Sequence, residues 1–198
     1  MNEQAKNKWN KIYADTAIKQ LSVSRVLSEN EHLLPACGCA LDLACGTGSD
    51  AIFLANRGLT VDAWDISDAV IEKLAEYASD NALSIRAQAR DINQQPPLAH
   101  AYDVITVAHF LERDLMSVLL NSLKPGGLIF YQTFTKTVTE HYSGPKNPDF
   151  RLATNELLDL FSALQLVVYR EEALIGDIQQ GFRNEVMYVG RRACQKIK

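Results

Sequence analysis

The stretch LDLACGTGSD, residues 41–50, most constrains what this chain can fold into. It opens apolar, as a strand covered on both faces requires. It then passes through Cys45-Gly46-Thr47-Gly48 and continues into Ala51, Ile52, Leu54 and Ala55 at helical spacing. That pattern predicts a strand, a tight turn and a helix. Glycines at such a turn let the backbone bend sharply and let a ligand approach the N–H groups at the helix start. The spacing Gly46-x-Gly48-x-x-Ala51 also satisfies the fingerprint of dinucleotide-binding enzymes, so the turn alone leaves the ligand open. Asp42 adds information, because a carboxylate inside a strand built for burial needs a buried donor.

The same alternation repeats downstream. Arg57-Gly58 stops the first helix, and LTVDAWD, residues 59–65, supplies a second strand that ends in an acid. Asp65 falls 19 residues after Gly46, close to the roughly 20 at which a carboxylate meets a ribose in nucleotide-binding βαβ units. Ser67 is placed to cap a helix carrying Val70, Ile71, Leu74, Tyr77 and Ala78. Asp62, nearer the strand middle, is expected to face solvent or an edge. A third strand near residues 84–89 leads to Asp91-Ile92, and YDVITVA, residues 102–108, is a fourth, with His109 at its carboxyl end. Helical residues from Leu111 to Leu123 follow, then Lys124-Pro125-Gly126-Gly127 turns into a fifth strand, LIFYQTF. Two last strands, near residues 164–171 and 184–191, are joined by a segment too short for a crossover helix and are therefore antiparallel partners. The fold predicted is α/β and doubly wound, with a mostly parallel seven-stranded sheet and an antiparallel C-terminal strand.

At 198 residues and 47% hydrophobic content the chain is sized for a single domain, 1–198. The first forty residues are expected to be helical as far as Pro35, with Trp9, Ile12 and Tyr13 on one side and Leu21, Val23, Val26 and Leu27 on another. A net charge of −4, with basic residues clustered only at Arg191, Arg192, Lys196 and Lys198, disfavours a nucleic-acid partner. No apolar run approaches a membrane span, and the polar N-terminus lacks a secretory block, so a cytoplasmic protein without a membrane partner is expected. Cys37, Cys39, Cys45 and Cys194 lack paired metal-binding spacing and are read as reduced thiols, with no metal site.

Ligands of an open α/β sheet lie across the carboxyl ends of its strands. Asp42 to Gly48, Asp65, Asp91 and Ala108-His109 all fall there. Together with LKPGG before strand five and the reversed ending, these motifs resemble class I S-adenosylmethionine-dependent methyltransferases, over nearly the whole chain from about Leu33. The resemblance implies a Rossmann-like fold, S-adenosyl-L-methionine as cofactor and methyl transfer to a small-molecule acceptor by in-line displacement. It implies that Asp65, followed by Ile66, accepts the ribose hydroxyls, that Asp91 and the Ile92 N–H meet the adenine, and that Gly46, Thr47 and Gly48 underlie the sugar and methionine. It places carbonyls of Ala44 and Ala108, beside His109, at the ammonium, with Asp42 holding the turn or the ammonium.

WNKIYA, HFLERDL and GPKNPDF are further similar to the tellurite-resistance and thiopurine-like small-molecule branch. That likeness implies that residues 1–35 form a lid region with Trp9 and Tyr13 over the cofactor. It also implies that Arg113 and the 135–152 loop, with Tyr142, Lys146 and Arg151, face the acceptor. His109, Arg113 and His141 are the candidates for a catalytic role, His109 and His141 as bases for an oxygen or nitrogen acceptor, whereas a soft thiolate-like acceptor needs none. The competing readings are an NAD-dependent oxidoreductase and a non-catalytic cofactor-binding protein. Asp42, Asp91 and the antiparallel ending oppose the first, and the intact glycines and acids the second. A monomer or homodimer is expected.

Overall fold

The computed structural model describes residues 3–18, 22–140, 142 and 144–194. Its strands are β1 (Gly38–Leu43), β2 (Leu59–Asp65), β3 (Ile85–Ala89), β4 (Tyr102–Ala108), β5 (Leu123–Phe134), β6 (Gln165–Arg170) and β7 (Glu185–Arg191). They form one sheet in the order β3-β2-β1-β4-β5-β7-β6. The first five are parallel, and β7 runs antiparallel to both neighbours. The helices are α1 (Glu3–Tyr13), α2 (Arg25–Ser28), α3 (Ser49–Asn56), α4 (Asp68–Asp80), α5 (Met116–Ser122) and α6 (Glu156–Leu160).

Strand alternation splits the core in two. Leu41, Leu43, Ile105, Val107, Ile129 and Tyr131 pack with Leu119 of α5 and Leu157 of α6. Ala40, Val61, Ala63, Val104 and Phe130 pack on the other side with Leu27, Ala51, Leu54 and Leu74. Both faces of the central strands are therefore covered, which explains their near-continuous apolar runs. Strand order reverses at β1, with β2 to one side and β4 to the other, so a crevice opens at the carboxyl ends of β1 and β4.

Several sequence expectations need correction. Among the described residues of the first forty, only Glu3–Tyr13 and the single turn Arg25–Ser28 are α-helical, and β1 already begins at Gly38. Apolar residues there pack as an irregular segment: Val26 and Leu27 are fully buried although their helix is one turn long. Asp62 does not face solvent. It accepts from Tyr102 Oη (2.8 Å) and is paired with Arg86 through Nε (2.7 Å) and Nη2. As β2 lies inside the sheet it offers no edge, and neighbours on β3 and β4 replace water. The helix expected from Leu111 starts at Met116 after a 3-10 turn, and residues 124–127 form an irregular stretch of β5 opposite Tyr102–Val104. His141, Leu21, Lys196 and Lys198 lie outside the described residues. Among the described residues no helix is long and apolar enough to cross a membrane.

Candidate active site

At the end of β1 the backbone enters the left-handed region at alternate residues, Ala44 (φ 54°), Gly46 (φ 51°) and Gly48 (φ 77°). A side chain at Gly48 would be strained at this φ, and its Cβ would stand 2.5 Å from Leu74 Cδ1 and displace it. The turn is held from two sides. The Asp42 carboxylate, 2% exposed, accepts the Ala51 N–H at 2.9 Å, and Asp65 Oδ2 accepts the Gly46 N–H at 3.0 Å. Burial pushes the Asp42 carboxyl well above the usual carboxylate range, and the charge of Asp50 pushes the same way, against the Ala51 N–H.

Asp65 closes β2 beside this turn and is 7% exposed. Its Oδ1 accepts from the Ser67 N–H (2.9 Å), so backbone donors fix both oxygens in one orientation. Burial raises its carboxyl above the ordinary value, opposed by the N–H groups of Ser67, Gly46 and Ile66. Ser67 also caps α4 through the Val70 N–H, as expected. Asp91 stands after β3, 8% exposed, with Asn93 N–H on its Oδ1 (3.1 Å), and Ile92 is buried in the core. Arg90 covers the Trp64 ring at 4.0 Å between these two acids.

Helix α1 lies across the start of α4. Asn10 Oδ1 accepts from Ser67 Oγ (2.7 Å) and the Ala69 N–H (3.3 Å), and Lys6 pairs with Asp68 (2.6 Å). The Lys73 ammonium donates to the carbonyls of Tyr13, Ala14 and Thr16 at 2.8, 2.6 and 2.9 Å, satisfying the open end of α1. Trp9 stacks on Tyr13 (5.7 Å between centroids), and a Cβ on Gly46 would stand 2.9 Å from Tyr13 Oη. Tyr13 therefore reaches the glycine turn. Asn10 and Lys73 escaped sequence reading, because a polar residue on a solvated helix face carries no periodic signal.

A second group gathers around His109. Its backbone is left-handed (φ 57°), and its N–H donates to the Gln132 carbonyl (2.8 Å). The ring stacks on Phe134 (4.8 Å), and Nε2 stands 3.1 Å from Glu185 Oε2. Gln132 Nε2 donates to the same carboxylate oxygen (2.5 Å), while its Oε1 accepts the Val26 N–H (2.8 Å). Asp50 accepts from the Ser24 N–H (2.8 Å) and Thr106 Oγ1 (3.4 Å). Burial pulls the His109 imidazolium down, but Glu185 and Asp50 outweigh it and leave its pKa above the ordinary value. Gln132 was readable as an amide inside LIFYQTF. Glu185 was not, because it opens a strand whose partners lie fifty residues back.

The 135–152 segment returns close to its start: Lys136 N–H donates to the Leu152 carbonyl (2.8 Å) and Leu152 N–H to that of Phe134 (2.9 Å). Tyr142 meets Phe134 edge-on (6.0 Å) and carries the Arg151 guanidinium over its ring (5.3 Å), which joins this loop to His109 through Phe134. Arg113 is committed differently. It pairs with Glu156 and donates to the carbonyls of Asp149 (2.7 Å) and Arg151 (3.1 Å), tying the loop to α6. Lys146 is exposed, and its carbonyl accepts from Arg151 Nη2 (3.3 Å). Among the described residues no group of three metal-ligating side chains occurs, and Cys37, Cys39, Cys45 and Cys194 are free thiols.

This sheet order and reversed last strand define the Rossmann-like fold of S-adenosylmethionine-dependent methyltransferases. The fold is shared with the crystal structure of TehB from Haemophilus influenzae (TM-score 0.69, 21% identity, 93% of this chain and 67% of that one). It is also shared with geranyl diphosphate C-methyltransferase from Streptomyces coelicolor (TM-score 0.68, 14% identity, 95% of this chain and 98% of that one). The family model "Tellurite resistance protein TehB" matches residues 1–186, and the chain belongs to that family. Ubiquinone biosynthesis O-methyltransferase of Coxiella burnetii is 32% identical over 101 residues, 48% of this chain and 43% of the relative. The probable S-adenosyl-L-methionine-dependent methyltransferase TehB of Haemophilus influenzae is 28% identical over 139 residues, 66% of this chain and 47% of the relative. The chain thus spans less than half the length of these curated relatives.

Proposed function

We propose that this chain transfers the methyl group of S-adenosylmethionine to a small-molecule acceptor. The observation that carries this reading is Asp65, a buried carboxylate locked by the Gly46 and Ser67 N–H groups at the end of β2, directly beside the left-handed turn of β1. A carboxylate has about four lone-pair positions, more than the backbone donors around Asp65 occupy, so it can also accept from ribose hydroxyls. Asp91, one strand further out, fits the adenine amino group, and the carbonyls of Ala44 and Ala108 at the crevice fit the ammonium. Tyr13 closes over the turn, and Asp42 keeps the turn in shape rather than meeting ligand, since its Oδ2 already holds Ala51 N–H.

When bound, the sulfonium supplies an electrophilic methyl whose leaving group is a neutral thioether. The protein's part is to position the two reactants in line and to keep the site dry, and both follow from the α1 lid and the 135–152 loop. We assign that loop to the acceptor side, because it leaves the carboxyl end of β5 and places Tyr142 and Arg151 beside Phe134 and His109.

Calorimetric titration tests this reading. S-adenosylmethionine and its demethylated product should bind, and NAD should not. Binding of NAD alone would return the turn to the oxidoreductase reading.

A further inference from the structure

We propose that His109, oriented by Glu185, is the general base of this site, and that the acceptor is a neutral hydroxyl compound of the phenol class. The proposal rests on the methyl-transfer reading and narrows it.

The ring is held by two contacts, one of which is itself braced. Phe134 stacks on it, Glu185 meets Nε2 at 3.1 Å, and Glu185 is itself held by Gln132, which is anchored through the Val26 N–H. With Nε2–H donated to the carboxylate, the lone pair of the neutral imidazole is on Nδ1, which has no partner among the described residues. The side chain is 45% exposed, so that nitrogen is accessible. Position adds to this: His109 follows Ala108 at the end of β4, next to the glycine turn of β1, where acceptor and methyl donor must meet.

Two observations set the acceptor class. The charged groups nearest His109 are Glu185 from β7 and Asp50 from α3, Gln132 and Phe134 from β5 are neutral, and the Arg151 guanidinium stands further out, over Tyr142. At the imidazole itself the two carboxylates dominate, and they favour an acceptor whose oxygen arrives there protonated. The edge-on pair of Phe134 and Tyr142 beside the imidazole suits a flat ring. In the step, the acceptor oxygen attacks the methyl carbon, the O–C bond forms and the S–C bond breaks, and its electron pair stays on sulfur. The hydroxyl proton passes to Nδ1, giving methyl ether, thioether and an imidazolium stabilised by Glu185 and Asp50.

The test compares the wild type, His109→Gln and Glu185→Gln on phenols neutral at the assay pH and on thiophenols and nitrophenols ionised there. His109→Gln should lose on the order of 100-fold on neutral phenols, within the usual range for a general base, and at least about tenfold less on ionised acceptors. Proton NMR reads the imidazole without turnover, with the His109 resonance assigned by its absence from His109→Gln. Its titration should lie above the ordinary value of about 6.5 and fall toward it in Glu185→Gln, with the acid limb of kcat/KM moving down in parallel. Equal losses on both acceptor classes, turnover confined to ionised acceptors, or a titration unmoved by Glu185→Gln would each overturn the proposal alone. Absence of S-adenosylmethionine binding by calorimetry would overturn the methyl-transfer reading as well.

Discussion

The Asp42 carboxylate accepts the Ala51 N–H at 2.9 Å, so the strand that enters the glycine turn also caps the helix that leaves it. Neither Gly48 at the N-cap nor any neighbour within α3 supplies a side-chain cap of its own.

Asp42→Ala should therefore destabilise the fold by about 1–3 kcal/mol, the penalty for orphaning a buried donor. Asp42→Asn keeps an acceptor and removes a buried charge. The folded-state carboxyl is raised, so its contribution is complete below the ordinary carboxylate value of about 4 and is lost as pH rises through the folded-state value. Urea denaturation between pH 4.5 and 7.5 should show the Asn variant gaining on the wild type as pH increases. A pH-independent difference would refute this account.

Asp65→Ala should weaken S-adenosylmethionine by about 1.5–3 kcal/mol, the range for a hydrogen bond to a charged group, and should lower the melting temperature because Gly46 and Ser67 lose their acceptor. Calorimetry on the folded variant decides it. Undiminished affinity would remove Asp65 from the ribose.

Lys73→Met should release the end of α1 while leaving the sheet intact, since all three carbonyls it bonds belong to residues 13–16. Protease cleavage after Tyr13 should accelerate, and S-adenosylmethionine should bind a few-fold more weakly, while global stability changes by less than about 1 kcal/mol, as for a lost cap. A cleavage rate equal to the wild type would show that α1 is held by Asn10 and Lys6 alone.

Arg113→Gln should loosen the 135–152 loop from α6, because one guanidinium joins Glu156 to the carbonyls of Asp149 and Arg151. Methyl-transfer rate should fall roughly tenfold or more, as expected when a distant change misplaces reacting groups, and S-adenosylmethionine affinity should hold. Tyr142→Ala and Arg151→Ala should follow the same pattern. If affinity for S-adenosylmethionine falls instead, the loop belongs to the cofactor side.

The parallel half of the fold was legible because burial on both faces writes a local pattern. The β4 stretch Tyr102–Ala108, the Ser67 cap and the stop at Arg57-Gly58 all stand where the sequence predicted them. Asp62 was misread because its environment depends on strand order: an acid mid-strand is solvated on an edge and paired in the interior, and only topology says which. The N-terminal segment failed for a related reason. Val26 and Leu27 are buried by tertiary packing on β5 and β7, whereas a helix long enough to show periodicity never forms. On the site, Asp42 and Asp65 announced themselves as acids where apolar residues or ribose spacing were due. Glu185 could not, since its role depends on His109, 76 positions earlier in the chain, being brought beside it by β5.

β7 lies between β5 and β6, so β6 has no sheet neighbour until β7 is in place. During synthesis residues 165–170 leave the ribosome before residues 185–191, and for that interval Leu166 and Val167 are a strand without a ladder. Arrival of β7 then does three things in one event: it closes the edge of β5, gives β6 its sheet partner and delivers Glu185 to His109. A nascent chain can thus complete the glycine turn and its acids well before the imidazole has its carboxylate, and the turn matures ahead of the pair formed by His109 and Glu185.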